Sequence, residues 1–317
     1  MIEILSPGLH QIILMDAFDN MNDIKLLALD IDGTILTREK KLTVRTRAAI
    51  ESAADEGIAI ALVTGRPFLG IPDELMSLKG LGYVISSNGA VMTDLIQGTS
   101  LRTANLDPEL ALEIIDMLRV LDLVYAAFVD GVGYCELEPF NRHIGMIDNP
   151  GLETYIRKSR RITNDMEKVI RSSKNGVENI WFIAHDPTER NDLNREINKK
   201  WTVRTVLTGK ADVEIGSPEA DKGIALSKLA EHLAVDKSGI MAIGDNDNDI
   251  GMLKAAGIAV AMGNADDKVK RIADIITDDN NSGGAAKVIE KILSGKGSWR
   301  SGGTELRQEA DTKENLA

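Results

Sequence analysis

Short apolar runs that end on polar residues alternate with segments of helical periodicity along this chain. Each run is uninterrupted, which is typical of strands that are buried on both faces. The segments between the runs have helical spacing and helix-ending glycines such as Gly57. The alternation predicts an α/β fold built on a doubly wound parallel sheet. The runs are 25–30 (KLLALD), 58–64 (IAIALVT), 83–88 (YVISSN), 239–245 (GIMAIGD) and 258–263 (IAVAMG).

The stretch 91–214 interrupts this pattern and has a different one. Helix-like and strand-like segments follow each other there without the long alternation of the flanking halves. We expect a second, smaller α+β domain, inserted between the core halves 23–90 and 215–293 and joined to them by linkers near 89–93 and 216–221. Two linkers permit a hinge. The helix-like segments are 108–121 and 191–200, and the strand-like segments are 124–128 and 179–184.

The two ends of the chain lack these patterns. Residues 1–22 have no basic leader region, and we interpret them as an N-terminal extension. Residues 294–317 are rich in Gly, Ser, Glu and Lys, so they cannot bury enough apolar surface to offset the entropy of ordering. We expect a disordered tail there.

Composition excludes several classes of protein. The single cysteine, Cys135, cannot close an intramolecular disulfide, which favours a cytoplasmic location. With 49 acidic against 37 basic residues and a net charge of -12, the chain repels phosphate backbones, so nucleic acid is not an expected partner. The apolar runs are far shorter than the ~20 residues that span a bilayer, so a membrane is not expected either.

Two carboxylates lie two residues apart at the end of the first apolar run. Asp30 and Asp32 are followed by Gly33, which lets the backbone turn sharply. Adjacent carboxylates at a buried strand end are costly unless a cation lies between them. Asp245 ends another run, and such oxygen ligands predict a hard cation. The repeated Asp spacing after Gly244 resembles a calcium loop, but Ile250 and Ala256 replace the required Gly and Glu.

Three further polar residues lie at predicted element ends. Thr64 and the N–H of Gly65 form a pair suited to phosphate oxygens, although Thr64 taken alone is better explained as a simple capping threonine. Lys222 opens a helix, where the helix dipole disfavours a cation. Its position indicates nearby anions or carboxylates, with a solvated lysine as the alternative.

These residues belong to a set of ordered motifs that resembles the haloacid dehalogenase superfamily of phosphatases, specifically the Cof-type group with an inserted cap domain. The resemblance spans about 24–293. It implies a Rossmann-like core formed by 23–90 and 215–293, with 91–214 as the substrate-selecting cap. The motifs are LALDIDGTIL at 27–36, TGRP at 64–67, SNGA at 87–90, DKG at 221–223, GDNDNDIGML at 244–253 and AVAMGNA at 259–265.

The resemblance also implies a role for each matching residue. Asp30 would attack phosphorus and form an aspartyl phosphate, and Asp32 would act as general acid and then general base. Mg²⁺ would neutralise charge on the transferring group. The implied metal ligands are Asp30, Asp32 (through its carbonyl), Asp245 and Asp249. The implied phosphate-binding residues are Ile31, Thr64, Gly65, Lys222 and Asn248.

The resulting hypothesis is a Mg²⁺-dependent phosphatase of a small phosphorylated metabolite, such as a sugar phosphate or a phosphorylated vitamin precursor. Candidate substrate contacts in the cap are Arg142, His143 and the basic segment 157–161, for which surface charge is an equal explanation. A phosphotransferase or mutase of the same fold is an alternative. A phosphorylatable signalling receiver is another, against which Asp32 and the large inserted domain argue.

Overall fold

The computed structural model describes residues 24–146 and 150–295. The extension expected at 1–22 and the tail expected from 294 onward, apart from its first two residues, lie outside the described residues. Strands and helices are numbered below in chain order.

An eight-stranded sheet forms the core, in the order β14-β13-β12-β1-β2-β3-β4-β5. The six strands from β14 to β3 are parallel, and β4 and β5 continue the sheet as an antiparallel hairpin. The predicted α/β fold with a doubly wound parallel sheet is confirmed. The strands are β1 (Leu26–Leu29), β2 (Ala59–Val63), β3 (Leu81–Ser86), β4 (Val91–Asp94), β5 (Thr99–Thr103), β12 (Ile240–Gly244), β13 (Ile258–Ala261) and β14 (Ile275–Ile276).

Strand β1 shows why the apolar runs are uninterrupted. Its side chains alternate between the two faces of the sheet. Leu27 and Leu29 pack into the apolar cluster on one face, whereas Leu26 and Ala28 pack into the cluster on the other. All four are fully buried, so both faces of the strand require apolar residues.

Helices cover both faces of this sheet. Thr43 caps α1 (Val44–Asp55), and its hydroxyl accepts the Thr46 N–H at 3.1 Å. Helix α7 (Pro187–Lys200) belongs to the inserted segment. It begins at Pro187 rather than at the predicted residue 191, because Asp186 caps it and proline is favoured in the first turn. The helices are α1 (Val44–Asp55), α2 (Asp73–Met76), α3 (Pro108–Val120), α4 (Leu137–His143), α5 (Pro150–Ser159), α6 (Met166–Arg171), α7 (Pro187–Lys200), α8 (Lys222–Leu233), α9 (Ile250–Ala255), α10 (Asp267–Ile272) and α11 (Gly284–Leu293).

A second sheet of six strands, in the order β10-β11-β9-β6-β7-β8, lies between the two halves of the core in sequence. Its two faces carry separate apolar clusters, one around Phe182 and the other around Phe128. It is mixed, with β7 and β8 as the parallel pair. Its strands are β6 (Val124–Val129), β7 (Val132–Glu136), β8 (Arg160–Thr163), β9 (Val177–Ile183), β10 (Arg204–Thr208) and β11 (Asp212–Gly216).

The beginning of the inserted segment differs from the expectation. The linker predicted near 89–93 is wrong, because β4 pairs with β3 and residues 91–103 complete the first sheet. The chain passes toward the second sheet only after Thr103 and returns through 217–221. A short hairpin at a sheet edge has weak, half-exposed alternation, so the apolar runs of the sequence did not reveal it.

Candidate active site

The polar residues that end the parallel strands meet at one edge of the core sheet. Asp30 follows β1, Thr64 follows β2 and Asp245 follows β12. Neighbouring strands are in register, with Leu29 opposite both Ile243 and Leu62. The carboxyl ends of parallel strands are where ligands bind in open α/β sheets. This edge is therefore the candidate active site.

A compact group of carboxylates occupies this edge. One oxygen from each of Asp30, Asp245 and Asp249 lies within 4.8 Å of the others. Asp249 is fully buried, Asp30 is buried and Asp245 is half-buried. Such crowding of oxygen ligands fits a divalent cation, because without one the like charges repel each other.

The raised pKa values of Asp30 and Asp245 also indicate a site for a cation. Burial, together with the charge of Asp249 and against the opposing charge of Lys222, raises the pKa of Asp30 to about 7. Burial and the neighbouring charges of Asp30 and Asp249 raise the pKa of Asp245 to about 8. Carboxyls that hold protons this strongly lack sufficient positive charge around them. The residues therefore fit the metal that the sequence predicted.

Lys222 is the cation buried within this group. Its Nζ donates to Asp30 Oδ1 at 2.7 Å and to Asp249 Oδ1 at 2.6 Å, and its side chain is fully buried. Burial opposes the charge of the ammonium, but the two carboxylates outweigh it and raise the pKa of Lys222 above its usual value. The solvated-lysine alternative is therefore wrong in this structure.

Asp249 shapes the loop after β12. Its Oδ2 accepts the backbone N–H groups of Asp245 and Asn246 at 2.9 and 3.0 Å, while Oδ1 accepts from Lys222. Both oxygens thus already have protein partners. This arrangement holds Asp245 at the strand end with its side chain toward Thr34, whose hydroxyl donates to it at 3.1 Å.

Gly33 permits the close approach of Asp245. A Cβ on Gly33 would lie 2.3 Å from Asp245 Oδ2, and the residue has a φ of +83°. A side chain at this position would therefore displace a proposed metal ligand and strain the backbone. Asn264 joins the same contact, since its Nδ2 donates to the Gly33 carbonyl at 2.9 Å.

Asp32 lies outside the carboxylate group and between two cations. Arg66 donates to both of its oxygens, at 2.6 Å from Nε and 2.8 Å from Nη2, and Lys40 Nζ donates at 2.7 Å. Burial opposes ionisation of Asp32, but Arg66 and Lys40 together hold its pKa well below the usual range. Asp32 is therefore ionised in this conformation.

Thr64, Ile31 and Asn248, three of the predicted phosphate-binding residues, each have identifiable contacts in the structure. Thr64 is buried, and its Oγ1 accepts the Arg66 N–H at 3.1 Å, which is the capping arrangement considered as an alternative. The Ile31 side chain is buried in the apolar core, so only its backbone groups are left to contact a phosphate. Asn248 Nδ2 donates to Asn88 Oδ1 at 3.0 Å.

A cavity of about 420 Å³ opens beside the carboxylate group. From the core it is lined by Asp245, by Asn264 of the loop after β13 and by Lys268 of α10. From the inserted segment it is lined by Arg190 of α7 and by Gly209, between β10 and β11. The cavity, which reaches the carboxylate group through Asp245, therefore lies between the core and the inserted segment, with polar groups from both sides.

The cap residues singled out from the sequence are held by other contacts. Arg142 Nη1 lies 2.8 Å from Asp122 Oδ1, and His143 Nε2 lies 3.1 Å from Asp122 Oδ2. Arg157 pairs with Glu153 at 2.8 Å. Arg160 lies over the ring of Phe128. None of them lines the cavity beside Asp245.

Sequence reasoning assigned no role to several residues that contact this edge. Arg66 lies within the TGRP motif, and its position next to Gly65 was the sequence feature that could have indicated a role in the site. Lys40 and Glu214 had no local signal, because only the fold brings them to Asp32 and to Asn88. Tyr155 stacks on Arg66, with the guanidinium carbon 4.3 Å from the ring centroid, and it too lies far away in sequence.

Comparison with known families identifies this architecture. The family sequence model that describes the haloacid dehalogenase-like hydrolases matches residues 19–289 of this chain. This chain belongs to that family. The predicted superfamily and the predicted enzyme class, a phosphatase-type hydrolase, are thereby confirmed.

Curated relatives of this haloacid dehalogenase-like hydrolase are named phosphatases. The chain is 30% identical over 273 residues to the 5-amino-6-(5-phospho-D-ribitylamino)uracil phosphatase YcsE of Bacillus subtilis, an alignment that covers 84% of this chain and 95% of that protein. It is 29% identical over 272 residues to the pyridoxal phosphate phosphatase YbhA of Escherichia coli, covering 85% and 98% of the two chains.

Solved structures of the family share the fold. A haloacid dehalogenase-like hydrolase from Bacillus subtilis superposes with a TM-score of 0.73 at 26% identity, covering 84% of this chain and 99% of that one. One from Bacteroides thetaiotaomicron gives a TM-score of 0.72 at 27% identity, covering 85% and 99%. In the described part of this hydrolase, no helix has the length and apolar character needed to cross a membrane.

Proposed function

We propose that this hydrolase is a Mg²⁺-dependent phosphatase that acts on a small phosphorylated metabolite through an aspartyl-phosphate intermediate. The observation that carries the proposal is the contact of Asp30 with Lys222 at 2.7 Å, inside a group of carboxylates at the carboxyl edge of the sheet. An anionic nucleophile, a fixed cation and a cation-binding carboxylate group are the components that phosphoryl transfer requires.

In the first step, an oxygen of Asp30 bonds to phosphorus as the bond from phosphorus to the leaving oxygen breaks. Asp32 gives a proton to that leaving oxygen, so the alcohol departs neutral. In the second step, water attacks the phosphorus, Asp32 takes a proton from it, and the bond from phosphorus to Asp30 breaks. Phosphate is released and the Asp30 carboxylate is regenerated.

We assign the two proposed roles of Asp32 to different conformations, because Arg66 and Lys40 stabilise its ionised form. The ionised form held by Arg66 and Lys40 is the one that accepts a proton from water in the second step. Proton donation in the first step requires that these cations move away from Asp32. Substrate phosphate is an anion that would compete for them.

Asp30, Asp245 and the backbone carbonyl of Asp32 would hold Mg²⁺, with Asp249 in support. When bound, the ion supplies positive charge to the oxygens of the transferring phosphoryl group. Thr64, the Gly65 N–H, Lys222, Asn248 and the backbone at Ile31 would hold the other phosphate oxygens. Since the charge of a loose transition state lies on those oxygens, such contacts supply most of the catalysis.

The inserted segment would select the substrate. We propose that the cap comprises the second sheet and its helices, between the connections 104–107 and 217–221. Two relatives act on a phosphorylated ribitylaminouracil and on pyridoxal phosphate by name, and a polar cavity of about 420 Å³ suits metabolites of that size. We further propose a cytoplasmic location and no nucleic-acid partner, because the chain has one cysteine and a net charge of -12.

The test is phosphate release from a panel of sugar phosphates, pyridoxal phosphate and phosphorylated vitamin precursors. Wild type and Asp30→Asn are compared, each with Mg²⁺ and with chelator. We expect hydrolysis that needs both the metal and Asp30, with a loss of about 10⁴-fold or more in the variant. Asp55→Asn, an exposed residue paired with Lys79, is the matched control and keeps full activity.

Two outcomes would contradict the proposal. Activity that survives Asp30→Asn would place the nucleophile elsewhere. No hydrolysis of any ester, together with transfer of phosphate to an added acceptor alcohol, would favour the phosphotransferase alternative.

A further inference from the structure

A chain of hydrogen bonds connects the cap strand β11 with the phosphate-binding edge of the core. Glu214 of β11 accepts from Asn88 Nδ2 through Oε2, and the same oxygen accepts Asn179 Nδ2 at 3.1 Å. Asn88 Oδ1 in turn accepts Asn248 Nδ2 at 3.0 Å. A carboxylate of the cap is therefore two hydrogen bonds away from a residue proposed to hold phosphate.

The chemistry of the first member fixes the direction of this chain. Glu214 Oε2 accepts the amide NH₂ groups of both Asn88 and Asn179, so the NH₂ of Asn88 faces Glu214. The carbonyl of Asn88 then faces Asn248, and Asn248 must present its own NH₂ to that carbonyl. Each amide has one orientation that satisfies its neighbours, and Glu214 determines it.

This chain of hydrogen bonds lies directly beside Gly65. A Cβ built on Gly65 would lie 3.1 Å from Asn88 Oδ1 and 3.3 Å from Glu214 Oε2. The residue whose N–H is proposed to bind phosphate is thus packed against the middle and the end of the chain. A change in the orientation of the Asn88 side chain would therefore alter the contacts of Gly65 as well as those of Asn248.

The backbone that carries Asn88 also depends on the cap. Ser87 and Asn88 both have left-handed conformations, with φ of 49° and 56°, which non-glycine residues adopt only when their surroundings hold them there. Glu178 of the cap strand β9 accepts the Ser87 hydroxyl at 2.6 Å and the Gly131 N–H at 2.5 Å. Cap carboxylates thus hold both residues of this turn.

We infer that Glu214 is a positioning residue that, through Asn88, orients the Asn248 amide for phosphate binding. The Asn248 NH₂ has two N–H groups; one donates to Asn88 Oδ1, and the other is the donor that we assign to a phosphate oxygen. If the hydrogen bonds inverted, Asn248 would turn its carbonyl toward Asn88 and its NH₂ would leave this position. The affinity for phosphate therefore depends on Glu214 of the cap, although the side chains of Asn88 and Asn248 lie between Glu214 and the phosphate. This inference rests on the proposed role of Asn248 in binding phosphate.

The test measures binding of inorganic phosphate to the full chain by calorimetry in the presence of Mg²⁺. Inorganic phosphate has no leaving group, so a change in its affinity cannot come from a lost contact between Glu214 and the rest of a substrate. Glu214→Gln keeps the size of the side chain but introduces an NH₂ that can donate to Asn88. Donation from this NH₂ would reverse the direction of the hydrogen bonds from residue 214 through Asn88 to Asn248. We expect its phosphate Kd to rise about tenfold, the effect of losing one hydrogen bond to a charged group.

Two further variants separate positioning from a general loss of structure. Asn88→Ser removes the middle of the chain from the core side and is expected to weaken phosphate binding by a similar factor. In the background of Asn248→Ala, Glu214→Gln is expected to cause no further loss, since the group that it orients is gone. Glu219→Gln, whose exposed side chain lies on the connection after β11, is the control and keeps the wild-type Kd.

The steady-state constants provide a second readout. With para-nitrophenyl phosphate as the probe, we expect Glu214→Gln to raise KM more than it lowers kcat. A Kd equal to that of Glu219→Gln, or a full additional loss in the Asn248→Ala background, would overturn the inference. If wild type instead binds phosphate but shows no hydrolysis that depends on Asp30, the proposed function fails while the positioning result stands.

Discussion

Arg66 donates to both carboxylate oxygens of Asp32, at 2.6 Å from Nε and 2.8 Å from Nη2, in a bidentate ion pair. The guanidinium also lies over the ring of Tyr155, 4.3 Å from its centroid. Tyr155 belongs to α5 of the inserted segment, whereas Asp32 belongs to the core. The carboxylate proposed to transfer protons is thus linked, through one side chain, to the position of the cap.

Replacing Arg66 is expected to move the acid side of the pH profile. Arg66 and Lys40 lower the pKa of Asp32 against the opposing effect of burial, so wild type keeps the ionised form in acid. In Arg66→Met that pKa rises, and the form that accepts a proton from water is lost at a less acidic pH. We expect the acid limb of kcat to move up by about one pH unit, since Lys40 remains. The measurement is kcat at saturating substrate, followed from pH 8 down to the lowest pH at which both proteins remain folded.

Arg66→Lys provides the matched comparison for this prediction. Lysine keeps the positive charge but cannot reproduce the two-point contact. Its acid limb should therefore stay closer to that of wild type, although kcat falls. Identical acid limbs in the Met and Lys variants would show that the charge of Arg66 does not control Asp32.

Metal binding is expected to release protons. Asp30 and Asp245 have pKa values of about 7 and about 8 in the absence of a metal, both raised by burial and by neighbouring carboxylates. Below these values a cation must displace protons from the group, so its apparent affinity rises with pH until about 8. We expect Mg²⁺ affinity to fall about tenfold per pH unit, for each proton displaced, between pH 8 and pH 6.

Calorimetry in buffers of different ionisation enthalpy measures this release directly. The observed heat should change with the buffer at pH 7 for wild type. In Asp245→Asn, one of the titrating groups is absent, so proton release should decrease along with affinity. A Mg²⁺ affinity that does not depend on pH, with no proton release, would contradict the raised pKa values.

A buried carboxylate in the cap is expected to reduce stability at neutral pH. Burial, against the hydrogen bond that Trp181 donates at 3.2 Å, raises the pKa of Asp212 from 3.8 to about 6. The folded state therefore binds a proton more tightly than the unfolded state, and the free energy of unfolding falls as pH rises from about 4 through about 6. Asp212→Asn cannot ionise, so we expect it to be about 1 to 3 kcal/mol more stable than wild type at pH 7.

Urea unfolding at two pH values checks this prediction. At pH 4 the Asp212 carboxyl is protonated in the folded state, so the variant and wild type should then have nearly equal stability. Asp55→Asn, at an exposed site on α1, should show no such difference between the two conditions. A variant that is less stable than wild type at pH 7 would mean that the ionised carboxylate is well compensated in the fold.

Local patterns in the sequence were sufficient for five strands of the core sheet, β1, β2, β3, β12 and β13. The runs around β1, β2 and β12 were uninterrupted because both faces of those strands are buried, and that requirement is visible residue by residue. Asp30 and Asp245 stand at the ends of such runs, so their convergence followed from the rule that parallel strands end at one edge. The hairpin at 91–103 escaped prediction because an edge strand has only weak alternation.

The partners of these residues were not predictable in the same way. Lys40, Arg66 and Glu214 contact Asp32 or Asn88 across separations of up to 126 residues. A charged residue on a surface and one that completes a buried ion pair look alike in a sequence, because the difference lies in what the fold brings opposite them. Only the structure shows that Asp32 lies between two cations and that Lys222 lies between two carboxylates.

The sequence by itself determined the fold class, the strand-end carboxylates and their family, since each depends on spacing along the chain. Tertiary structure alone decided the electrostatic state of those carboxylates and the reach of cap residues such as Tyr155 and Glu214 into the core. The physical reason is that strand and helix periodicity are local properties, whereas desolvation and ion pairing depend on every group within a few ångströms, whatever its place in the sequence.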